Sequence, residues 1–114
     1  MKKQAYLLLP LLLLIACAPQ KKRLYSWGHY DDASYYYLKN QDEKSTKLLM
    51  DSYKEIIDKQ TGLRGVVPPG IYADYGFLLI QQKQTEEGKA MLKKEVELYP
   101  ESKVFIDKIL KTLN

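Results

Sequence analysis

The sequence predicts an all-α domain of about five helices over residues 30–114, preceded by a signal peptide and a short linker. Apolar residues recur at helical spacing through that region, whereas no alternating strand pattern bounded by turn residues occurs. The first sixteen residues have the composition of a targeting segment. At 114 residues and 46% hydrophobic, the chain can form one domain with a modest core, but not two.

The targeting segment has a positive start and a short apolar run. Lys2 and Lys3 precede eleven mostly apolar residues that end at Ile15. That run is too short for a stable transmembrane helix, which needs roughly 20 residues, but it suits the apolar core of a secretory signal. We therefore assign residues 1–16 to a signal peptide that is removed.

Residues 14–17, Leu-Ile-Ala-Cys, resemble the lipobox of bacterial lipoproteins. The thiol of Cys17 would carry diacylglycerol as a thioether, and the small Ala16 suits the peptidase. The alternative is an ordinary signal peptide followed by a buried or free cysteine, but the single cysteine of the chain lies where lipidation requires it. Acylation would leave no thiol for a disulfide, redox chemistry or a cysteine-based metal site.

Lipidation predicts a protein that is anchored to a membrane and does not span it. Two or three acyl chains, at about 0.8 kcal/mol per buried methylene, hold a protein in the bilayer effectively permanently. Ala18 follows the lipidated position, in place of the Asp that resembles an inner-membrane retention signal. We therefore expect the periplasmic face of the outer membrane.

A lipid-anchored linker, residues 17–29, is expected to keep the domain close to the membrane. Its first part, residues 18–23, spans at most about 20 Å when extended. The basic run Lys21-Lys22-Arg23 contributes up to about 1 kcal/mol per charge beside anionic lipid, or else only solvates the linker.

Net charge gives no reason to expect nucleic-acid binding. The formal charge of +4 includes Lys2 and Lys3, and without them the chain has 16 basic and 14 acidic residues. A nucleic-acid-binding domain of this size usually has a clear basic excess.

The first two helices follow the linker. One is expected over residues 30–39, with Asp31 or Asp32 capping its start or adding favourable charge there. The second is expected over residues 43–59 and is closed by Gly62. Its apolar stripe has the spacing of one helix face and consists of Leu49, Tyr53, Ile56 and Ile57.

Three further helices follow a connector over residues 62–70. Pro68 and Pro69 fix an extended entry to the third helix. Thr85 is the expected N-cap of the fourth helix, which runs to Pro100, and Ser102 is the expected cap of the fifth. The predicted stripe of the fifth helix is Phe105, Ile109, Leu110 and Leu113.

The third and fourth helices resemble a tetratricopeptide repeat in their spacing. Counting back from Pro100, the glycine of the repeat falls on Gly76 and its small residue on Gly88, which would let the two helices approach closely. Glu95 departs from the pattern, which has Ala there, and this predicts a looser contact or an exposed neighbour. The apolar positions of the repeat fall on Tyr72, Tyr75, Leu79 and Leu92.

The resemblance implies stacked helical hairpins. Residues 30–59 would form a degenerate hairpin before the repeat, and residues 102–114 the solvating helix that covers the end of such arrays. The alternative is a generic bundle of four or five helices that matches the repeat by chance.

The lipobox and three further stretches resemble a family of small bacterial lipoproteins with a domain of unknown function. The stretches are residues 25–30, Tyr-Ser-Trp-Gly-His-Tyr, and residues 67–76 and 99–105. Members of that family often occur beside a lipoprotein that resembles the curli secretion channel. The resemblance implies a subunit or accessory of an outer-membrane lipoprotein complex, and it implies no catalytic residue.

The sequence carries no recognisable catalytic motif. His29 is the only histidine, and neither a serine nucleophile elbow nor a phosphate-binding loop accompanies it. His29, Asp31 and Asp32 are three weak metal ligands, but such a group beside a helix start is more often a solvated cap. We therefore expect no enzyme, no metal site and no cofactor.

The aromatic residues near the N-terminus are the candidate partner-binding site, since Tyr and Trp are frequent at interface hot spots. Consecutive helical residues point about 100° apart, so at least one residue of the Tyr35-Tyr36-Tyr37 run should be exposed. The alternative is that Trp27 and Tyr30 pack the first hairpin and the others form its rim. The candidate residues are Tyr25, Trp27, Tyr30, Tyr35, Tyr36 and Tyr37.

These features together predict a lipid-anchored adaptor or accessory subunit that joins other envelope lipoproteins. One rival hypothesis is a small-ligand or peptidoglycan-binding module, which predicts an enclosed pocket lined by tyrosines. A second is a purely structural spacer, in which Tyr35, Tyr36 and Tyr37 are dispensable for complex formation.

Overall fold

The computed structural model describes residues 21–113, and five α-helices account for most of them. They are α1 (Tyr30–Asn40), α2 (Glu43–Asp58), α3 (Ile71–Gln81), α4 (Thr85–Leu98) and α5 (Lys103–Thr112), with a 3-10 turn (Pro100–Ser102) before α5. No strand occurs in this part of the chain, so the predicted all-α class and the number of helices are confirmed. The predicted signal peptide and Cys17 lie outside the described residues. None of the helices within 21–113 is long and apolar enough to cross a bilayer.

The helices pack on their neighbours in chain order. α1 packs on α2, α2 on α3, and α5 on α4, while α3 and α4 share the most extensive contact. Two side chains on the later helices, Leu92 and Ile106, are completely buried, and each burial contributes roughly 1.5–3 kcal/mol. The main core cluster contains Ala33, Leu49, Tyr53, Ile56, Val67, Ile71, Tyr72, Tyr75, Leu78 and Leu79.

α2 begins with a capping box. The Asp42 carboxylate accepts a hydrogen bond of 2.7 Å from the Ser45 backbone N–H, and the Asp42 N–H donates to the Ser45 hydroxyl at 3.0 Å. The bond from the Ser45 backbone also lowers the pKa of Asp42. The predicted stripe of α2 is confirmed, with Leu49, Tyr53 and Ile56 buried.

α1 begins at Tyr30, as expected, and Asp31 and Asp32 add favourable charge in its first turn without capping it. Two other predicted helix ends are wrong in detail. α2 ends at Asp58, and Gly62 lies beyond it against the backbone of Leu24 and Tyr25.

α4 begins one residue earlier than expected, because Gln84 is its N-cap and Thr85 its first residue. Ser102 is the N-cap of α5, as predicted. Its hydroxyl, however, donates to the Tyr99 carbonyl at 2.7 Å and makes no bond to α5.

α5 presents a face that differs by one residue from the predicted stripe. Ile106 is completely buried, whereas Phe105 is 62% exposed. Ile109, Leu110 and Leu113 are half-buried, as the stripe requires. Phe105 and Ile106 are adjacent apolar residues, so periodicity alone did not decide which of them faces the core.

Gly76 and Gly88 bring the backbones of α3 and α4 into contact. A Cβ on Gly76 would lie 2.7 Å from the Gly88 carbonyl oxygen, and a Cβ on Gly88 would lie 2.5 Å from the Gly76 carbonyl oxygen. Since real Cβ atoms do not approach so closely, both positions require glycine at this helix spacing. The close approach expected from their spacing is present.

Candidate interaction surface

The segment before α1 is hydrogen-bonded to the helical domain from Arg23 onward. The backbone N–H groups of Leu63 and Arg64 donate to the carbonyls of Arg23 and Leu24, both at 3.1 Å. These two bonds attach the second part of the predicted linker to the connector between α2 and α3. Only residues 18–22 then separate Cys17 from the first docked residue.

Gln60 fastens the same segment through its side chain. Its Oε1 atom accepts hydrogen bonds from the Ser26 N–H at 2.6 Å and from the Gly62 N–H at 3.0 Å, while its Nε2 donates to the Ser26 carbonyl at 3.2 Å. The Ser26 N–H, the Ser26 carbonyl and the Gly62 N–H, none of which is in a helix, thereby gain hydrogen-bond partners. We call residues 23–27 the docking segment.

Aromatic rings form a continuous row from the docking segment into the core. Tyr25, Trp27, Tyr30, Tyr53 and Tyr75 make four successive ring contacts, with centroids 5.6–6.3 Å apart. Such pairs contribute about 0.5–1.5 kcal/mol each beyond the area they bury. Burial raises the pKa of Tyr53, and the nearby Tyr30 raises it further. The Tyr53 phenol therefore stays protonated well above pH 10. The row joins the docking segment to α1, α2 and α3.

Tyr99, the C-cap residue of α4, connects the end of that helix to the connector before α3. Its hydroxyl donates to the Val67 carbonyl at 2.5 Å. Burial, together with a hydrogen bond to the Tyr25 side chain, raises the pKa of Tyr99 to about 12. The Arg64 guanidinium lies 5.9 Å from the centroid of the Tyr25 ring, within the range of a cation–π contact.

Glu95 is buried, at a position where the repeat pattern predicted a looser helix contact or an exposed neighbour. Only 2% of the residue is accessible. Its carboxylate oxygens accept hydrogen bonds from the backbone N–H groups of Gly70 and Ala73, at 2.7 and 3.3 Å. Because Gly70 is the N-cap of α3 and has no side chain, Glu95 supplies the cap from the neighbouring helix.

The tyrosine run on α1 divides between core and solvent. Tyr35 is 66% exposed and Tyr36 is 40% exposed, whereas Tyr37 packs against the core cluster. The expectation that at least one of the three is exposed is confirmed. Trp27 and Tyr30 also pack against the core cluster, as the alternative interpretation of the aromatic residues expected.

An open groove of about 380 Å³ lies between α1 and α2. Its lining is mostly apolar, and Tyr36 and the 43% exposed Leu48 both contribute to it. We call it the α1–α2 groove. The residues that line it are His29, Asp32, Ala33, Tyr36, Leu48, Asp51, Ser52 and Glu55.

Three carboxylates give the α1–α2 groove a negative potential. They belong to Asp32, Asp51 and Glu55. Asp51 also lies 3.7 Å from the Lys47 ammonium, but both side chains are solvated and such a pair contributes little. Within residues 21–113, no three His, Cys, Asp or Glu side chains are arranged to hold a metal ion.

A family model described as a domain of unknown function (DUF4810) matches residues 24–109. The chain belongs to this family. The match starts at Leu24 in the docking segment and extends into α5, so the DUF4810 domain includes the segment that the sequence assigned to a linker. No curated protein and no solved structure matches the chain.

Only part of the groove of this DUF4810 domain was predictable from the sequence. Tyr36 was a candidate partner-binding residue, but Leu48, Asp51 and Glu55 were not, because carboxylates among lysines on a helix are typical of a solvated face. The sequence feature that could have indicated the groove is Leu48, an apolar residue next to Leu49 that does not belong to the predicted α2 stripe. Of the six candidate residues, Tyr25, Trp27, Tyr30 and Tyr37 are half-buried and two are exposed.

Proposed function

We propose that this DUF4810 protein is a lipid-anchored envelope lipoprotein that serves as an adaptor or accessory subunit of an outer-membrane lipoprotein complex, one resembling the curli secretion channel. The observation that carries the proposal is the α1–α2 groove, with its apolar lining, its exposed Tyr36 and Leu48 and its acidic side chains. Groove-binding segments of partner proteins use apolar anchors, and their charges complement those of the groove.

The partner chemistry follows from the groove. A segment with apolar side chains on one face and Lys or Arg beside them complements the Tyr36 and Leu48 surface and the carboxylates of Asp32 and Glu55. An amphipathic helix has this arrangement and suits a groove between two helices. Tyr35 is 66% exposed on α1 but does not line the groove.

The alternative function is a small-ligand or peptidoglycan-binding module. It requires a pocket that encloses most of its ligand and was expected to be lined by tyrosines. The α1–α2 groove is open to solvent and has one tyrosine in its lining, which favours a protein partner.

The membrane anchor is supported by the lipobox and by the start of the docked chain. Cys17 stands six positions before Arg23, so an acyl group at its thiol would lie near the domain. The short tether keeps the α1–α2 groove within reach of other lipoproteins on the same membrane, which raises their effective concentration. We place the protein on the periplasmic face of the outer membrane.

Affinity purification from detergent-solubilised membranes tests the adaptor. The tagged mature protein is expected to recover envelope lipoproteins in stoichiometric amounts, and Tyr36→Ser with Leu48→Ser should abolish that recovery. The matched control is Phe105→Ser on α5, which removes an exposed aromatic residue outside the groove. Recovery of the protein alone, or equal recovery by both variants, would contradict the proposal.

A further inference from the structure

An exposed patch of apolar and basic residues surrounds the point where the chain joins the domain. The pairing of Arg23 and Leu24 with Leu63 and Arg64 brings the docking segment and the connector side by side. Leu24 is 59% exposed, Leu63 60% and Val66 39%. Residues Lys21, Lys22, Arg23, Leu24, Leu63, Arg64 and Val66 are called the tether-proximal patch.

Charge is strongly segregated at this patch. Residues 18–30 and 59–73 contain no Asp or Glu, although the whole chain has 14 acidic residues. Lys21, Lys22, Arg23 and Arg64 lie in these two stretches and are exposed. A cluster of basic side chains with apolar residues beside it is the composition of a surface that lies on anionic lipid.

The short chain between Cys17 and the patch indicates that the patch contacts the membrane itself. Five residues separate Cys17 from Arg23, so the patch lies within about 20 Å of the bilayer when Cys17 is acylated. α1 begins seven positions after Arg23 and, at about 1.5 Å per residue, places Leu38 more than 10 Å further along its axis. The tether therefore holds the patch close to the lipid, whereas the far end of α1 lies further from Cys17 along the chain.

We propose that the tether-proximal patch lies directly on the surface of the anionic membrane into which the acyl chains of Cys17 are inserted. Leu24, Leu63 and Val66 enter the interfacial region, while the Lys and Arg side chains contact lipid phosphates. This inference rests on the lipid anchor of the proposed function and deepens it, since it fixes which end of the domain faces the membrane. The α1–α2 groove, which shares no lining residue with the patch, is then left accessible to other proteins.

Vesicle sedimentation tests the patch without the anchor. The chain from residue 17 onward, with Cys17→Ser, is expected to bind vesicles of phosphatidylglycerol and phosphatidylcholine more tightly than vesicles of phosphatidylcholine alone. Lys21→Gln with Lys22→Gln should weaken binding about 25-fold, or about fivefold for each charge removed. Both lysines are exposed and make no hydrogen bond or ion pair within residues 21–113, so the variant separates binding from stability. Equal binding to both vesicle types would overturn the proposal.

A single-thiol label tests the orientation of the anchored protein. In the acylated protein Cys17 is blocked, so Leu63→Cys provides the one free thiol for an environment-sensitive fluorophore. We expect a blue shift and quenching by brominated lipid at position 63. The control is Leu38→Cys, at a residue that is 70% exposed, where the label should remain in water.

The outcomes separate the anchor from the patch. An unacylated Cys17 in the mass spectrum of membrane-derived protein would contradict the anchor, while the vesicle assay would still test the patch. Acylated protein whose labels at positions 63 and 38 give the same spectrum would overturn the patch and leave the anchor intact.

Discussion

The carboxylate of Glu95 on α4 accepts a hydrogen bond of 2.7 Å from the backbone N–H of Gly70, the N-cap residue of α3. A second bond, from the Ala73 N–H, makes Glu95 the cap of a helix to which it does not belong. A negative charge is favourable at a helix N-terminus, because the free N–H groups there carry positive partial charge. The contact closes the α3–α4 hairpin at the end away from its turn.

Removal of this cap should destabilise the domain. Glu95→Ala leaves two N–H groups without their partner, and we expect the free energy of unfolding to fall by about 2–3 kcal/mol. Glu95→Gln keeps one acceptor and should lower it by about 1 kcal/mol. Urea denaturation measures both. Glu97→Ala, at an exposed position on the same helix, is the control, and an equal effect at the two positions would refute the capping role.

Asp74 should make the fold less stable at neutral pH. Burial, and then the charge of Glu95, raise the pKa of Asp74 above its ordinary value of 3.8. The folded state therefore binds this proton more tightly than the unfolded state, so stability declines as pH rises from about 3.8 through the raised pKa. Asp74→Asn should raise the melting temperature at pH 7 and not at pH 3. The gain should be below about 1 kcal/mol, because much of the side chain is solvated.

Thermal melting at the two pH values measures this effect. Glu97→Gln, which changes an exposed carboxylate on α4, serves as the control. A stabilisation by Asp74→Asn that is the same at pH 3 and pH 7 would show that ionisation is not its cause.

Buried tyrosines should make the domain sensitive to alkali. Burial raises the pKa values of Tyr53, Tyr72 and Tyr75, and that of Tyr99 to about 12. Above pH 10 the unfolded chain loses these protons while the folded domain retains them, so stability falls as pH rises. Tyr53→Phe should make this decline shallower by up to about 1.4 kcal/mol per pH unit. Urea midpoints between pH 9 and 11.5 provide the test, and unchanged slopes would argue against it.

The α3–α4 contact should not tolerate a methyl group. Gly88→Ala gains about 1 kcal/mol of helix propensity, but its Cβ would lie 2.5 Å from the Gly76 carbonyl oxygen and from Ile80. Since a backbone oxygen cannot move without separating the helices, we expect a net loss of about 2 kcal/mol. Ala90→Ser, on the exposed face of α4, is the control. A neutral or stabilising Gly88→Ala, measured by urea denaturation, would mean that the helices are further apart.

Helical periodicity was sufficient to predict the core of α2 and α3. Leu49, Tyr53 and Ile56 repeat on one helix face, and Gly76 and Gly88 have the spacing of a close helix pair. These features depend on neighbours within one helix or one hairpin, which the order of residues specifies directly.

Features that depend on contacts between distant segments were not predicted. A glutamate on a lysine-rich helix resembles a solvated residue, and only the position of the α3 N-terminus makes Glu95 a cap. The docking segment has no strand periodicity, and its attachment depends on Gln60 and the connector, more than thirty positions away. Phe105 and Ile106 are both apolar, so the residue of α5 that faces the core could not be selected from periodicity.

The mass of the N-terminal peptide, from protein isolated from the membranes of its own bacterium, tests the central claim most directly. The account predicts a chain that begins at Cys17 and carries a diacylglycerol thioether on that sulfur, with a further acyl group on its amine. A polypeptide that retains Met1 and an unmodified thiol, recovered from the cytosol, would contradict it.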